Sequence, residues 1–363
     1  MPSPTTSGPP ARLASRPALR VGPFSTVWRP RAAMATGAIL CVAALAFAFS
    51  LALGDYQLDL GTVFQVLFTG GGSRTERLVV LEWRLPRSLA GVAVGAALGL
   101  SGALTQNATR NALASPDILG ITSGASAAAV TVLVLGTGGG VAGWLAGAGI
   151  PVAAALGGLL TAVAIWALAF RREVDSFRLV LFGVIINALL LAYVNFLLIR
   201  AALRDAATAQ FWLTGSLGSS VWGRVIPLLV VVACFLPLLA WVSFRLNASS
   251  LGTDVEKALG QNPQLTHMSL WLVAVLLASV AVATAGPIGF VAFVAPQLAL
   301  RLCGLSRPPL IAAALTGAAL VVSADLATQH LLPKELPVGL LTSAIGGVFL
   351  MYLLVRTNQR TTV

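Results

Sequence analysis

The chain has 363 residues, of which 57% are hydrophobic and only 10% are charged, with a mean hydropathy of +0.90. Soluble domains carry about 25% charged residues, so this composition excludes an ordinary soluble protein and favours one dissolved in the lipid bilayer. The formal net charge of +11 would suit a nucleic-acid-binding protein. The placement of the cations excludes that class, because they stand at the ends of apolar runs and not in a patch with aromatic residues.

The N-terminal segment, residues 1–31, is rich in proline, serine and arginine and contains five arginines but no acid. This composition predicts a disordered basic tail. The apolar run that follows, residues 32–54, exceeds the roughly 7–15 residues of a signal-peptide core. We therefore interpret it as a first membrane span that stays in the mature protein.

Stretches that contain no Asp, Glu, Lys or Arg mark the candidate spans, since a span needs about 20 apolar residues. Two of them are long enough for two spans, and they are interrupted by a glycine-rich segment before Pro151 and by Gly286-Pro287. The sequence predicts an all-α polytopic membrane protein of about ten transmembrane helices, with a transmembrane domain over 32–356 and a short cytoplasmic tail over 357–363. The stretches are residues 32–54, 88–109, 118–170, 179–199, 225–244, 258–300, 308–324 and 336–355.

Orientation follows from the cations in alternating loops. With ten spans, 15 of the 23 lysines and arginines lie on the side of the N-terminal tail. Cytoplasmic loops carry the excess of such residues. We therefore predict a multi-pass membrane protein with both termini cytoplasmic.

The interiors of these stretches contain no ionisable group of the kind that couples proton or ion gradients to transport. The chain also has no G-x-x-x-x-G-K-[ST] motif for binding ATP phosphates. No paired carboxylates or nucleophile–base spacing suggests a catalytic residue, and the isolated cysteines and histidines suggest no metal site. We predict a transport subunit and not an enzyme, without a cofactor of its own. A stand-alone secondary transporter or channel is the rival interpretation.

Two arginines, Arg84 and Arg87, flank Leu85-Pro86 just before the second span, on the predicted outer side. They could meet an acidic partner protein. The competing interpretation is that they anchor the span to lipid headgroups.

The longest predicted cytoplasmic loop after the first span covers residues 249–263. Thr253 and Glu256 have the spacing of a capping box, so a helix should begin near Thr253 and stop at Gly260 and Pro263. Leu251, Val255 and Leu259 would form an apolar stripe beside the polar residues Asp254, Glu256 and Lys257. A short amphipathic helix of this kind can dock into a groove of a partner, although it could also lie on the bilayer.

Two asparagines in the fifth span, Asn187 and Asn195, are eight residues apart and share one helix face. They are the candidate residues of the substrate path. Hydrogen bonding between helices is an equally good interpretation of them.

Five stretches, in this order, resemble the FecCD family of ABC permeases, and the resemblance extends from Arg84 to Arg356. They are Arg84-Leu85-Pro86-Arg87, residues 101–125, residues 249–263, residues 286–301 and residues 325–349. The family differs where this chain has Ala112, Gln297 and Gln329, which the family often replaces with proline, histidine and arginine respectively.

The resemblance implies a type II ABC importer permease fold and a dimer of permeases, either a homodimer or a heterodimer. It implies two ATPase subunits that bind ATP and Mg, and an extracytoplasmic substrate-binding protein. Arg84 and Arg87 would dock the binding protein, with Lys334 in place of the arginine missing at Gln329. Residues 251–260 would couple to the ATPases. The implied substrate is an iron–siderophore complex, with haem or cobalamin as alternatives.

Overall fold

The computed structural model describes residues 18–21, 24–27, 29–136, 149–171, 173–174, 176–249, 253–331 and 336–361. Within these ranges the chain is almost entirely helical, as predicted. Its helices are α1 (Pro30–Ala52), α2 (Leu60–Phe64), α3 (Arg74–Leu78), α4 (Leu85–Thr109), α5 (Ile121–Leu135), α6 (Ile150–Ala169), α7 (Ser176–Arg200), α8 (Leu203–Leu213), α9 (Trp222–Phe235), α10 (Leu238–Ser249), α11 (Thr253–Ala258), α12 (Pro263–Ala285), α13 (Val291–Cys303), α14 (Leu310–His330) and α15 (Val338–Thr361).

Short irregular helices complete the helical segments. π-helical turns follow α2 (Gln65–Thr69) and precede α4 (Val79–Arg84), and a 3-10 turn (Pro116–Leu119) precedes α5. Two small antiparallel hairpins also occur, one formed by β1 (Ala18–Val21) and β2 (Phe24–Val27), the other by β3 (Phe170–Arg171) and β4 (Glu173–Val174). The first hairpin lies inside the segment predicted to be disordered.

Six helical segments are long and apolar enough to cross a membrane, counted over the part of the chain that the structure describes. Five shorter apolar helices accompany them. Each of the ten predicted spans corresponds to one helix, except that residues 225–244 are divided between α9 and α10. The division comes just before Pro237, which has no N–H to continue a helix.

Breaks in the long apolar runs fall where the sequence predicts them. The helix α5 ends at Leu135 and α6 begins at Ile150, while most of the glycine-rich segment between them lies outside the described residues. The second break is a sharp turn in which Gly286 has φ +74 and its α-carbon faces the carbonyl oxygen of Trp212. A β-carbon at Gly286 would lie 2.6 Å from that oxygen, so only glycine fits.

The centre of the fold is α4, which is buried along most of its length and packs against α12, α13 and α14. Its contact with α14 is close because glycine faces glycine. A β-carbon on Gly95 would lie 2.3 Å from the carbonyl oxygen of Gly317, and one on Gly317 would lie 2.0 Å from that of Gly95. Small residues such as these let helix backbones approach closely in a membrane.

Two helix boundaries differ from the predictions in ways that matter for the site. The residues Arg84 to Arg87 lie within a continuous helical segment that runs from Arg74 to Thr109, and not in a loop before the span. The helix α14 continues through Asp325 to His330. The prediction used only stretches without charged residues, so it ended this span at residue 324. The next residue, Asp325, is a buried acid whose charge is paired.

Candidate functional site

An ion pair joins the predicted outer ends of α4 and α14. Arg87 donates from Nε to Oδ2 of Asp325 at 2.9 Å and from Nη2 to Oδ1 at 3.0 Å. The Asp325 side chain is only 8% exposed and that of Arg87 is 23% exposed. The Gln329 amide, one helical turn further along α14, donates to Oδ2 at 2.7 Å. Bidentate geometry of this kind fixes the direction of the guanidinium as well as its position.

Arg84 binds a different element. Its Nη1 donates to the carbonyl oxygens of Leu51 and Ala52 at 2.8 and 2.9 Å, and its Nη2 donates to that of Tyr56 at 2.5 Å. The last carbonyls of a helix have no intrahelical donor and carry partial negative charge, so Arg84 caps the end of α1. These contacts tie α1 to the start of α4.

The two arginines line one small cavity of about 240 Å³, together with Asp55, Trp83, Asp325 and Gln329. The structure therefore brings together both sequence-predicted docking residues and fixes each of them through contacts within the chain. Their role in binding another protein stays a prediction. Lys334, the third predicted docking residue, lies outside the described residues.

The predicted cytoplasmic helix is present as α11, which begins at Thr253 and is followed by Gly260 at φ +76. Val255 and Leu259 are 43% and 55% exposed, so they present an apolar stripe that the described part of this chain leaves uncovered. Lys257 is also exposed, and Leu251 lies outside the described residues. An uncovered apolar stripe on a short helix is the feature that a docking partner requires.

Glu256 corrects one detail of the prediction. We expected it on the polar face of α11 and in a capping box with Thr253. Instead its side chain is fully buried, and neither carboxylate oxygen forms a hydrogen bond with any residue in the described ranges. The carboxylate half of the predicted capping box is therefore not formed among the described residues.

The turn between α4 and α5 contains another acid, the half-buried Asp117. The hydroxyl groups of Ser115 and Thr122 donate to its two carboxylate oxygens, and its own backbone N–H donates to Ser115 Oγ at 3.2 Å. Burial raises the pKa of the Asp117 carboxyl, and the two hydroxyl groups oppose that rise. The segment Pro116–Leu119 is a 3-10 turn, and α5 begins at Ile121 after Gly120.

The candidate path residues Asn187 and Asn195 are both exposed on α7. Asn187 accepts a hydrogen bond from Ser123 of α5, while the Asn195 side chain forms none with the residues that the structure describes. One asparagine thus joins two helices and both are accessible, so each of the two sequence-based interpretations keeps some support.

Sequence reasoning missed a buried amide pair between α4 and α13. Gln297 Nε2 donates to Gln106 Oε1 at 2.7 Å, and Gln106 Nε2 donates to the carbonyl oxygen of Phe293 at 3.2 Å. Both side chains are almost fully buried. The signal was available, because a glutamine in an apolar stretch must find a partner. What the sequence alone could not give is which two helices the pair would join.

Comparison with known proteins identifies the family to which this architecture belongs. Residues 32–356 match the FecCD transport family, and these bounds equal those of the predicted transmembrane domain. The chain belongs to the FecCD transport family. This confirms the resemblance drawn from the five sequence stretches.

Named relatives of this FecCD chain are permeases of iron-uptake systems. The ferric enterobactin transport system permease protein FepG of Escherichia coli is 38% identical over 86% of this chain and 92% of its own length. The achromobactin transport system permease protein CbrC of Dickeya dadantii is also 38% identical, over 89% of this chain and 91% of its own length.

A solved structure supports the same fold. A metal-chelate type ABC transporter in an inward-facing conformation matches this FecCD chain with a TM-score of 0.73 and 26% identity. The match covers 89% of this chain and 99% of the other. The predicted helical permease fold is thereby confirmed, and the protein is a multi-pass membrane protein.

Proposed function

We propose that this chain is the membrane-spanning permease subunit of an ATP-driven importer for iron–siderophore complexes. The observation that carries the proposal is the family match over the whole of residues 32–356, together with relatives named for ferric enterobactin and achromobactin transport. The fold of a metal-chelate type ABC transporter supports the same substrate class.

The energy source in this proposal is ATP bound to two separate ATPase subunits, which also bind its Mg. The sequence has no phosphate-binding loop of its own. The short helix α11, with Val255 and Leu259 exposed, is the surface that we assign to the ATPase contact.

Substrate is delivered in this proposal by an extracytoplasmic binding protein that docks at Arg84 and Arg87. Their geometry is set before any partner arrives, since each guanidinium is hydrogen-bonded to its own chain. Pre-set charges lose little conformational freedom on binding, which favours fast and specific association.

A second permease subunit would complete the pathway, with Asn187 and Asn195 of α7 facing the substrate path. Much of the apolar surface of α7, including Ile185, Leu189 and Ile199, is exposed in the single chain. In the proposed arrangement both termini are cytoplasmic and the protein lies in a bacterial plasma membrane.

Reconstituted uptake tests the proposal. We expect proteoliposomes that contain this permease, its partner permease and the ATPase to accumulate radiolabelled iron–enterobactin or iron–achromobactin when ATP and the binding protein are present. Vesicles with the permease alone should accumulate none, with or without a pH gradient. Uptake by the permease alone after a pH step would overturn the ABC assignment, and uptake of haem or cobalamin instead would overturn the substrate class.

A single substitution tests the ATPase contact. Leu259→Asp should greatly reduce co-purification with the ATPase, because docking would have to desolvate an unpaired carboxylate. Leu259 is 55% exposed, so membrane insertion and yield should stay at the wild-type level. Leu203→Asp is the matched control, since Leu203 is 88% exposed at the opposite end of the bundle. Equal co-purification of the Leu259→Asp and Leu203→Asp variants would contradict the assignment of α11.

A further inference from the structure

A buried acid lies on the inner side of the proposed coupling helix. The Glu256 side chain is 0% exposed, and both of its carboxylate oxygens are without a hydrogen bond among the residues described. Gln261, whose backbone N–H donates to the carbonyl oxygen of Glu256 at 3.0 Å, is also buried, and its side-chain amide is unbonded in the same sense. Buried polar groups are nearly always paired, so this arrangement needs a reason.

Glu256 acts on a group at the start of a long helix. The Glu256 carboxylate and the Arg110 guanidinium both act electrostatically on the imidazole of His267, which is in the first turns of α12. His267 in turn is hydrogen-bonded to the backbone oxygen of Ala108, near the end of α4. The carboxylate therefore lies within electrostatic range of α12, against which α11 also packs, and His267 joins α12 to the end of α4.

A nearby cation on α10, the helix that precedes α11 and contacts it, is bound to other groups. Arg245 of α10 donates to Thr266 Oγ1 at 3.1 Å, and its guanidinium stacks over the Trp241 ring at 5.0 Å. Glu256 thus acts through space on α12, which His267 joins to the end of α4, without the hydrogen bonds that would offset the cost of its burial. A group that lowers stability while facing a moving interface is a candidate for a functional role.

We propose that Glu256 is a positioning residue for energy coupling, the buried charge that makes the cytoplasmic ends of α4 and α12 follow α11. The inference rests on the proposed function, in which the ATPase subunits move α11. The helix α4 continues from this point to Arg87 at the predicted outer face, so one helix joins the inner charge to the outer docking residues. A packed, rigid helix of this kind connects the two faces of the protein through direct contacts, so movement at one end can be transmitted to the other.

The test combines two measurements on Glu256→Gln, which keeps the shape and removes the charge. With the isolated permease, Tm should rise by about 2 °C or more, because an unbonded amide is less costly to bury than an unbonded carboxylate. In the full transporter, stimulation of ATP hydrolysis by binding protein loaded with ferric enterobactin should fall about tenfold, the size of a typical coupling. Glu256→Asp, which keeps the charge, should retain part of the stimulation.

Glu82→Gln is the matched control, since Glu82 is exposed and lies outside α11. It should change neither quantity. A merely structural role for Glu256 predicts the opposite stability result, a lower Tm for Glu256→Gln, and that result would overturn the inference. Wild-type stimulation in Glu256→Gln would overturn it as well. If the wild-type transporter itself shows no stimulation, the proposed function has failed, and the Tm measurement still tests the buried charge.

Discussion

Replacing Gly95 with alanine should prevent α4 and α14 from packing and should leave little correctly folded permease. The added β-carbon would lie 2.3 Å from the carbonyl oxygen of Gly317 and 2.7 Å from the α-carbon of Ala318. Both obstacles are backbone atoms, so no side-chain rotation can relieve the overlap. Overpacking costs about 1–3 kcal/mol even where neighbours can adjust, and we expect the upper end of that range or more here.

Yield and Tm in detergent measure this effect, and Gly37→Ala supplies the control. Gly37 lies in α1, where an added β-carbon would meet nothing within 4 Å. Alanine is favoured over glycine in a helix interior by about 1 kcal/mol, so Gly37→Ala should be neutral or slightly stabilising. A Gly95→Ala permease with the yield and Tm of Gly37→Ala would show that the two helices are not in the close contact described.

The helical architecture could be predicted from the sequence because the bilayer makes a strong demand on composition. Each span needs a long apolar run, and each break needs a glycine or proline, as at Gly286-Pro287. The sequence did not indicate that Gly317 of α14 is the partner of Gly95, because facing positions depend on the arrangement of helices in three dimensions.

The candidate site was harder to predict for an electrostatic reason. A search for spans excludes charged residues, although a paired charge costs far less to bury than a single one. Asp325 was therefore placed outside its span, and its pairing with Arg87, 238 positions away, had no local signal. Glu256 was misplaced for a related reason, since its spacing from Thr253 fits a surface capping box.

The ion pair at the predicted outer face supports the second large prediction. Arg87→Met should lower Tm strongly, because Asp325 would lose its bidentate guanidinium while its side chain stays only 8% exposed. Breaking a fully buried pair costs about 3–5 kcal/mol, and we expect about 1–3 kcal/mol here because Arg87 is partly exposed. The double variant Arg87→Met/Asp325→Asn, which has no buried charge to compensate, should recover most of the lost stability.

The same two variants separate a structural role of Arg87 from a docking role. If Arg87 also meets an acidic group of the binding protein, the double variant should regain Tm but not the rate of association. Association rates in nanodiscs, measured at low and high salt, give the second quantity, since charge pairs across an interface act mainly on encounter. Recovery of both Tm and association rate in the double variant would show that Arg87 serves only the contact between α4 and α14. Arg84 cannot provide this comparison, because its substitution would also release the carbonyl groups at the end of α1.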